Sequence, residues 1–363
     1  MKAHISTRKS PIRTELSTVI PLTTPYVLFV DPSSACNFRC TFCPTGDREL
    51  IRSIGRYQGG ISLNEFSKVV TDVGDFPDKI KVLRLYKDGE PLMNRNLPEM
   101  IVMAKESGYF DTVDTTTNGA LLTNELADKV LATEIDLINI SVDGLDSDQF
   151  LTFTKAKVDF TTYVDRLRYL YENRGNTKIV IKTTREIIGE DREQEFLDTF
   201  GDMCDRIFVE NTSPCWPEFD VEERMGIKIK EGLYGNEIIE QTACPYLFYS
   251  ISVNSDMKVS ACFVDWSREL IIGDLNTESL REVWNGDRMN AHRAAHLDGR
   301  RKEHPICGDC GQITHCGPDS IEGGLADIKS KFADLGLLEV GRAALPLVGY
   351  GVIGLSVIDN SSS

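Results

Sequence analysis

The chain has 363 residues, with 56 Asp and Glu against 40 Lys and Arg, a formal charge of −16. That balance excludes a protein that grips nucleic acid or an anionic membrane through basic surface, and a content of 41% apolar and 8% aromatic residues excludes disorder and fibre. Ten cysteines are too few for a disulfide scaffold and the first 30 residues hold no uninterrupted apolar run of a secretory signal, so the thiols are expected reduced in a cytoplasmic protein, where close pairs bind metal or do redox chemistry.

Residues 1–24 carry Lys2, Arg8, Lys9 and Arg13 without periodicity and read as a loose leader. From residue 25 short apolar runs alternate with amphipathic stretches, the pattern of βα units feeding a parallel sheet. Strands are expected near 26–31, 80–86, 111–116, 135–142, 177–183 and 205–210. Ser62 with Glu65 makes a capping box ahead of Phe66, Val69 and Val70, and Thr123 caps a helix through Leu126 and Val130. Six units are too few for a closed eight-stranded barrel, so the expected fold is α/β, an open partial (β/α)6 barrel over residues 25–235.

Beyond residue 235 the rhythm breaks. Strand-like stretches at Phe248–Val253 and Lys258–Cys262, a helix near 277–284 and further cysteines mark a smaller domain, 236–320. The tail, 321–363, contains 16 uncharged residues from Ala343 to Ile358. That run is shorter than the roughly 20 residues of a membrane span and is broken by Pro346, Gly349, Gly351 and Gly354, so a packed tail is expected.

The first strand runs into Cys36-Asn-Phe-Arg-Cys40-Thr-Phe-Cys43-Pro44. Three thiolates on one loop hold three corners of a 4Fe–4S cube and leave the fourth iron open for another molecule; four-cysteine zinc sites instead close the shell with paired knuckles. Three further turns follow at successive strand ends: Asp88-Gly89-Glu90-Pro91, Thr116-Thr117-Asn118-Gly119 and Ser141-Val142-Asp143-Gly144. Each alone is an ordinary turn. Together, at the strand ends where an α/β barrel assembles its site, they resemble the radical S-adenosylmethionine (SAM) superfamily. The resemblance implies that Cys36, Cys40 and Cys43 hold a 4Fe–4S cluster and that Gly89 and Glu90 hold the SAM amino group. It also implies cofactor contacts from Thr117 and Asn118 and ribose contacts from Ser141 and Asp143. SAM would chelate the open iron and yield a 5′-deoxyadenosyl radical that abstracts hydrogen from an unactivated C–H bond. A flavodoxin or ferredoxin-type reductant is implied as partner.

A second set, Cys244, Cys262, Cys307 and Cys310, has 17, 44 and 2 residues between successive members. With Asn254, Asp256, Asp265, Trp266 and Trp284 around it, this region is similar to the auxiliary-cluster domain of SPASM and twitch enzymes. Met257 stands where that pattern has glycine, and Cys316 alone follows where a full SPASM domain has more thiols. The resemblance implies one auxiliary 4Fe–4S cluster on Cys244, Cys262, Cys307 and Cys310, with Cys316 a spare or alternative ligand. A zinc site on the same thiols is the alternative.

A fully ligated auxiliary cluster is suited to take an electron. The chain therefore resembles the twitch-type aminocyclitol (2-deoxy-scyllo-inosamine) dehydrogenase group, which implies oxidation of a secondary alcohol on a sugar, cyclitol or nucleotide-sugar. The alternatives are a peptide maturase, an epimerase in which Cys215, after the sixth strand, returns a hydrogen atom, and an iron–sulfur carrier that has lost SAM cleavage. Arg185, at the end of the fifth strand, is a candidate for the SAM carboxylate or an anionic substrate. His292, His296, His304 and His315 are read as surface or packing residues, and no nucleic acid or membrane span is expected.

Overall fold

In a computed structural model that describes residues 4–5, 14–317 and 319–343, the six expected strands lie side by side in parallel. In chain order the strands are β1 (His4–Ile5), β2 (Val27–Val30), β3 (Ile80–Leu85), β4 (Phe110–Thr117), β5 (Leu137–Val142), β6 (Lys178–Thr184), β7 (Arg206–Glu210), β8 (Ser250–Val253), β9 (Lys258–Ser260) and β10 (Ile271–Asp274). They form one sheet in the order β1-β7-β6-β5-β4-β3-β2-β8-β9-β10. β2 to β7 make the open partial barrel, and β10 and β1 are its unjoined edges. Strands covered on both faces read as apolar runs, as the sequence VLFV of β2 does.

The sheet does not stop at the expected boundary near 235. β8 pairs in parallel with β2, Val27 to Val30 lying against Ser250 to Val253, while the other edge of β2 meets Val82 to Leu85 of β3. The hairpin β9–β10 then continues the sheet antiparallel. The second cysteine segment thus hangs from the same strand that delivers the first. Two expected strand limits shift: Tyr246–Tyr249 is a short helix ahead of β8, and β9 ends at Ser260, leaving Cys262 in a turn. Met257 takes the left-handed φ of 65° that explains why glycine suits that position.

Expected caps form, with Ser62 and Glu65 closing a reciprocal box and Thr123 accepting from the Leu126 amide. The helix expected near 277–284 runs Leu280–Asn285 under a second such box, Ser279 with Glu282. Its first amide donates to Asp72 of the helix Leu63–Val73 at 3.0 Å, joining the late segment to the barrel's outer layer.

The leader is not loose in its second half. Leu16 and Ile20 are buried, and the Trp284 indole donates to the Leu22 carbonyl at 3.1 Å. The tail packs as far as it is described: helices Leu325–Asp334 and Leu337–Ala343 lie on Asp287–Leu297, Phe332 meets Phe248 edge-on at 5.8 Å, and Arg342 grips Asp298 with two bonds. The apolar run of 343–358 lies, but for the backbone of its first residue, outside the described residues. No helix among the described residues is long and apolar enough to cross a membrane.

Trp284 is fully buried and carries the Arg293 guanidinium 4.1 Å from its ring. Trp284→Ala should cost about 3–5 kcal/mol, read as a lowered urea midpoint. Trp284→Phe, which keeps a ring and loses the bond to Leu22, should cost about 1 kcal/mol for that bond beyond its lost packing.

Candidate functional site

The loop after β2 is held from several sides. Arg39 and Thr41 amides donate to the carbonyls of Thr154 and Phe153 at the end of the helix Ser147–Thr154. Gly46 approaches so closely that a Cβ there would lie 2.3 Å from the Cys40 carbonyl oxygen. Burial pushes the Cys36 thiol up to about 12, and the charges of Glu90, Cys43 and Asp143 push the same way. Cys40 is raised by burial and by Asp143, Cys43 and Cys36, so the three thiols lie within electrostatic reach of one another. Cys43 is raised by burial, while Thr45 and Arg56 favour its thiolate. Three half-buried thiols that resist ionisation alone suit a cationic iron centre, which deprotonates its ligands outright.

The turn after β3 packs directly on this loop. A Cβ on Gly89 would fall 2.2 Å from the Ala35 carbonyl and 2.3 Å from that of Ser33, and the Glu90 amide donates to Ala35 at 3.0 Å. The Glu90 carboxylate turns inward. It accepts from Thr117 Oγ1 at 2.6 Å, the Asn118 amide at 2.9 Å and the Leu92 amide at 3.0 Å. Three of about four acceptor sites are thus taken within the protein, so the acid holds the β4 turn. Asn118 Nδ2 reaches back to Asn37, between Cys36 and Cys40, at 2.8 Å.

On β5, Ser141 is half-buried beside Lys182 in the ladder. Burial raises Asp143 to about 7, opposed by Lys182 and helped by Glu90. Arg185 is engaged elsewhere, its Nε bonded to Glu193 at 2.5 Å with the side chain a third exposed. Two residues that sequence reasoning passed over stand closer in: Lys182 of β6 and Glu210 of β7, paired at 2.5 Å, with Glu210 buried. Their signal was a charge placed near the C-terminal end of each of two otherwise largely apolar strands.

The second cysteine set also assembles. Cys262 feels Cys244, Cys310 and Cys307, and Cys307 feels Cys244 and Cys310, over a burial effect that raises all of them. Cys316 stands to one side, 3.1 Å from Ser213 Oγ, with Cys310, Glu210 and Lys182 as charged neighbours. Cys215 is raised by burial and by Cys316, Cys310 and Cys43, which places it between the two sets. Cys204 bonds the Phe200 carbonyl and meets none of them. The histidines are not surface residues throughout: His296 and His304 are buried, and their Nδ1 atoms accept the amides of Cys244 (3.0 Å) and Cys307 (3.3 Å). Among the described residues no three His, Cys, Asp or Glu side chains are placed to share a single metal ion.

A buried ionic network spans the two sets. Asp88 meets Arg268 at 2.6 Å, Lys87 at 3.1 Å and Arg56 at 3.9 Å. Arg56 continues to Thr45, two residues from Cys43, and to the Trp266 carbonyl, while Lys87 donates to the Asp265 carbonyl. Ser255 bonds both Asp31 and Ser34. Burial opposes the Asp88 charge, yet Arg268, Lys87 and Arg56 hold its carboxyl well below the usual range; burial and the Asp88 charge push Asp31 up to about 6. Phe263, next to Cys262, stacks on Phe29 of β2 with ring centroids 4.6 Å apart.

The family model of the Radical SAM superfamily matches residues 30–200, and that of the iron–sulfur cluster-binding SPASM domain matches residues 244–311. A GTP 3′,8-cyclase of Chlorobaculum tepidum is 33% identical over 34% of this chain and 34% of its own. The chain spans about a third to a half of the length of the first such cyclases it matches. BtrN in complex with AdoMet and 2-DOIA superposes with a TM-score of 0.54 at 17% identity, covering 81% of this chain and 97% of that one. Streptococcus suis SuiB bound to precursor peptide SuiA superposes at 0.58 and 15%, covering 76% and 67%. The chain carries a radical SAM domain over residues 30–200 and a SPASM-type domain over residues 244–311, which implies SAM, a SAM-binding 4Fe–4S cluster and auxiliary iron–sulfur ligation. Cys215 and Cys316 lie outside both matched stretches.

With two cubes bound, the reconstituted chain should hold about eight irons and eight sulfides. Replacing Cys36, Cys40 and Cys43 together by Ala should leave about four of each, measured by iron and sulfide analysis, and should abolish 5′-deoxyadenosine formation.

Proposed function

We propose that this radical SAM enzyme oxidises a secondary alcohol of a carbohydrate-like small molecule to a ketone. When bound, SAM and its cluster supply the radical that removes the carbinol hydrogen atom. The remaining balance is one proton from the hydroxyl and one electron, and the chain has a place for each. Glu210, bonded to Lys182 at 2.5 Å, is positioned to accept the proton, and Cys244, Cys262, Cys307 and Cys310 would hold the cluster that takes the electron. The observation that carries the reading is this dyad of a buried Glu210 and a part-buried Lys182 near the C-terminal ends of β6 and β7. Asp143, among the neighbours of Cys36 and Cys40, and Cys316 both lie within electrostatic reach of it. Paired charges of opposite sign bind hydroxyl groups both as donors and as acceptors, which favours a polyol over an apolar substrate. The ligand spacing that resembles the aminocyclitol dehydrogenase group supports the same class.

Within this reading Cys36, Cys40 and Cys43 hold the first cluster, Gly89 with Glu90, Thr117 and Asn118 shape the SAM pocket, and Ser141 with Asp143 face the ribose. Arg185 would reach an anion only by giving up Glu193. The position of Cys215 between the two sets supports a second reading, a redox-neutral epimerisation in which that thiol returns the hydrogen atom.

Glu210→Gln should keep 5′-deoxyadenosine formation while oxidised product falls about 10²-fold or more, the usual worth of a positioned base. Mass spectrometry in deuterated buffer separates the readings: a product two hydrogens lighter than substrate, made equally by Cys215→Ala, supports the dehydrogenase. One solvent deuterium at the attacked carbon, lost in Cys215→Ala, overturns it in favour of the epimerase.

A further inference from the structure

The auxiliary cysteines share their surroundings with a buried cation that has no buried counter-charge. Arg301 lies six residues before Cys307 and is 3% exposed. Its Nη1 donates to the Cys307 carbonyl and, at 3.2 Å, to that of Gly308. The nearest acid, Glu240, is 3.8 Å away, but its side chain is 72% exposed and it also meets Lys302 at 3.4 Å. Among the described residues Nε has no hydrogen-bond partner. Burying a guanidinium in this way is costly unless an anion lies against it.

The anion that fits is the cluster itself. Four thiolates outweigh the charge of an oxidised 4Fe–4S core, so the site is net anionic and gains one more negative charge on reduction. The guanidinium meets the ligand loop directly at the Cys307 and Gly308 carbonyls, within electrostatic reach of Cys244 and Cys310. Among the described residues no other cationic side chain bonds the carbonyls of this loop. His296 and His304 accept amide hydrogens at Nδ1, which makes them neutral imidazoles. Arg293 is committed to the Leu247 and Trp284 carbonyls and to the Trp284 ring.

We propose that Arg301 is the built-in counter-ion of the auxiliary cluster and raises its reduction potential, making the cluster a better electron acceptor. Its purpose rests on the dehydrogenase reading above; its placement does not. A fixed cation stabilises the reduced, more negative cluster more than the oxidised one. Because the same guanidinium holds the Cys307–Gly308 turn, charge and position are separated by substitution.

The test is a dye-mediated potentiometric titration of the reconstituted full chain, following the reduced-cluster resonance that SAM does not perturb, with iron and sulfide counted on the same samples. Arg301→Gln should require a potential lower by about 59 mV or more for half reduction, a tenfold change for a one-electron couple, while Arg301→Lys stays within about threefold of wild type. An unchanged potential in Arg301→Gln with its full iron overturns the proposal. Where Arg301→Gln fails to hold the cluster, Arg301→Met is read in the same way, a tenfold fall supporting the charge and an unchanged potential rejecting it. A tuned cluster in an enzyme that oxidises no alcohol would leave Arg301 as counter-ion and remove the dehydrogenase reading.

Discussion

The carboxylate of Asp88 is the charge around which the two cysteine segments are fixed. It lies against Arg268 from the auxiliary segment, Arg56 beside the first cysteine loop and its own neighbour Lys87, all four side chains nearly inaccessible. Such a network is poor as a source of stability, because desolvation of each ion offsets much of the attraction. Removing one partner is another matter, for it strands the others in a medium that cannot solvate them, at about 3–5 kcal/mol. The network therefore specifies geometry: only one relative placement of the loops satisfies every charge. Electron transfer between centres falls steeply with distance, so fixed placement is what a two-cluster enzyme needs.

β2 supplies the second half of that constraint. A strand paired on both edges cannot slip without breaking two ladders, and a slip of one residue would turn Phe29 away from Phe263. The cysteine loop leaves its C-terminal end, and β8 beside it leads through a turn to β9 and Cys262. The auxiliary segment is thus an extension of the barrel sheet, stitched again by Ser255 to Asp31 and by Leu280 to Asp72.

The barrel was legible because its information is local. Strands such as β2 and β5 are apolar runs, Ser62 and Thr123 cap their helices, and the spacing of Cys36, Cys40 and Cys43 is short enough to act on one loop. What stayed hidden depends on residues distant in sequence. Lys182 and Glu210 are 28 positions apart, and nothing in either strand announces the other. His296 and His304 looked like ordinary packing residues because the amides they accept belong to cysteine segments whose approach only the fold reveals. Arg185 is a candidate by its position at a strand end, and the fold adds what position does not show, a glutamate eight residues on that engages it. The leader misled because Leu16 and Ile20 are too few to make a pattern, though enough to dock.

The turn Asp88-Gly89-Glu90 joins these observations. Its two acids, separated by one residue, point to opposite tasks. Asp88 faces the auxiliary segment and keeps its charge through three cations, while Glu90 faces β4 and spends its oxygens on Thr117, Asn118 and Leu92. Gly89 between them has no side chain because the carbonyls of Ser33 and Ala35 occupy the space one would fill. A single turn therefore presses on the first cysteine loop, anchors the Thr117–Asn118 turn and holds the second cysteine segment in place. A motif that resembles a cofactor contact is, in this chain, also the joint of the fold, because it lies where β2, β3 and β4 end together.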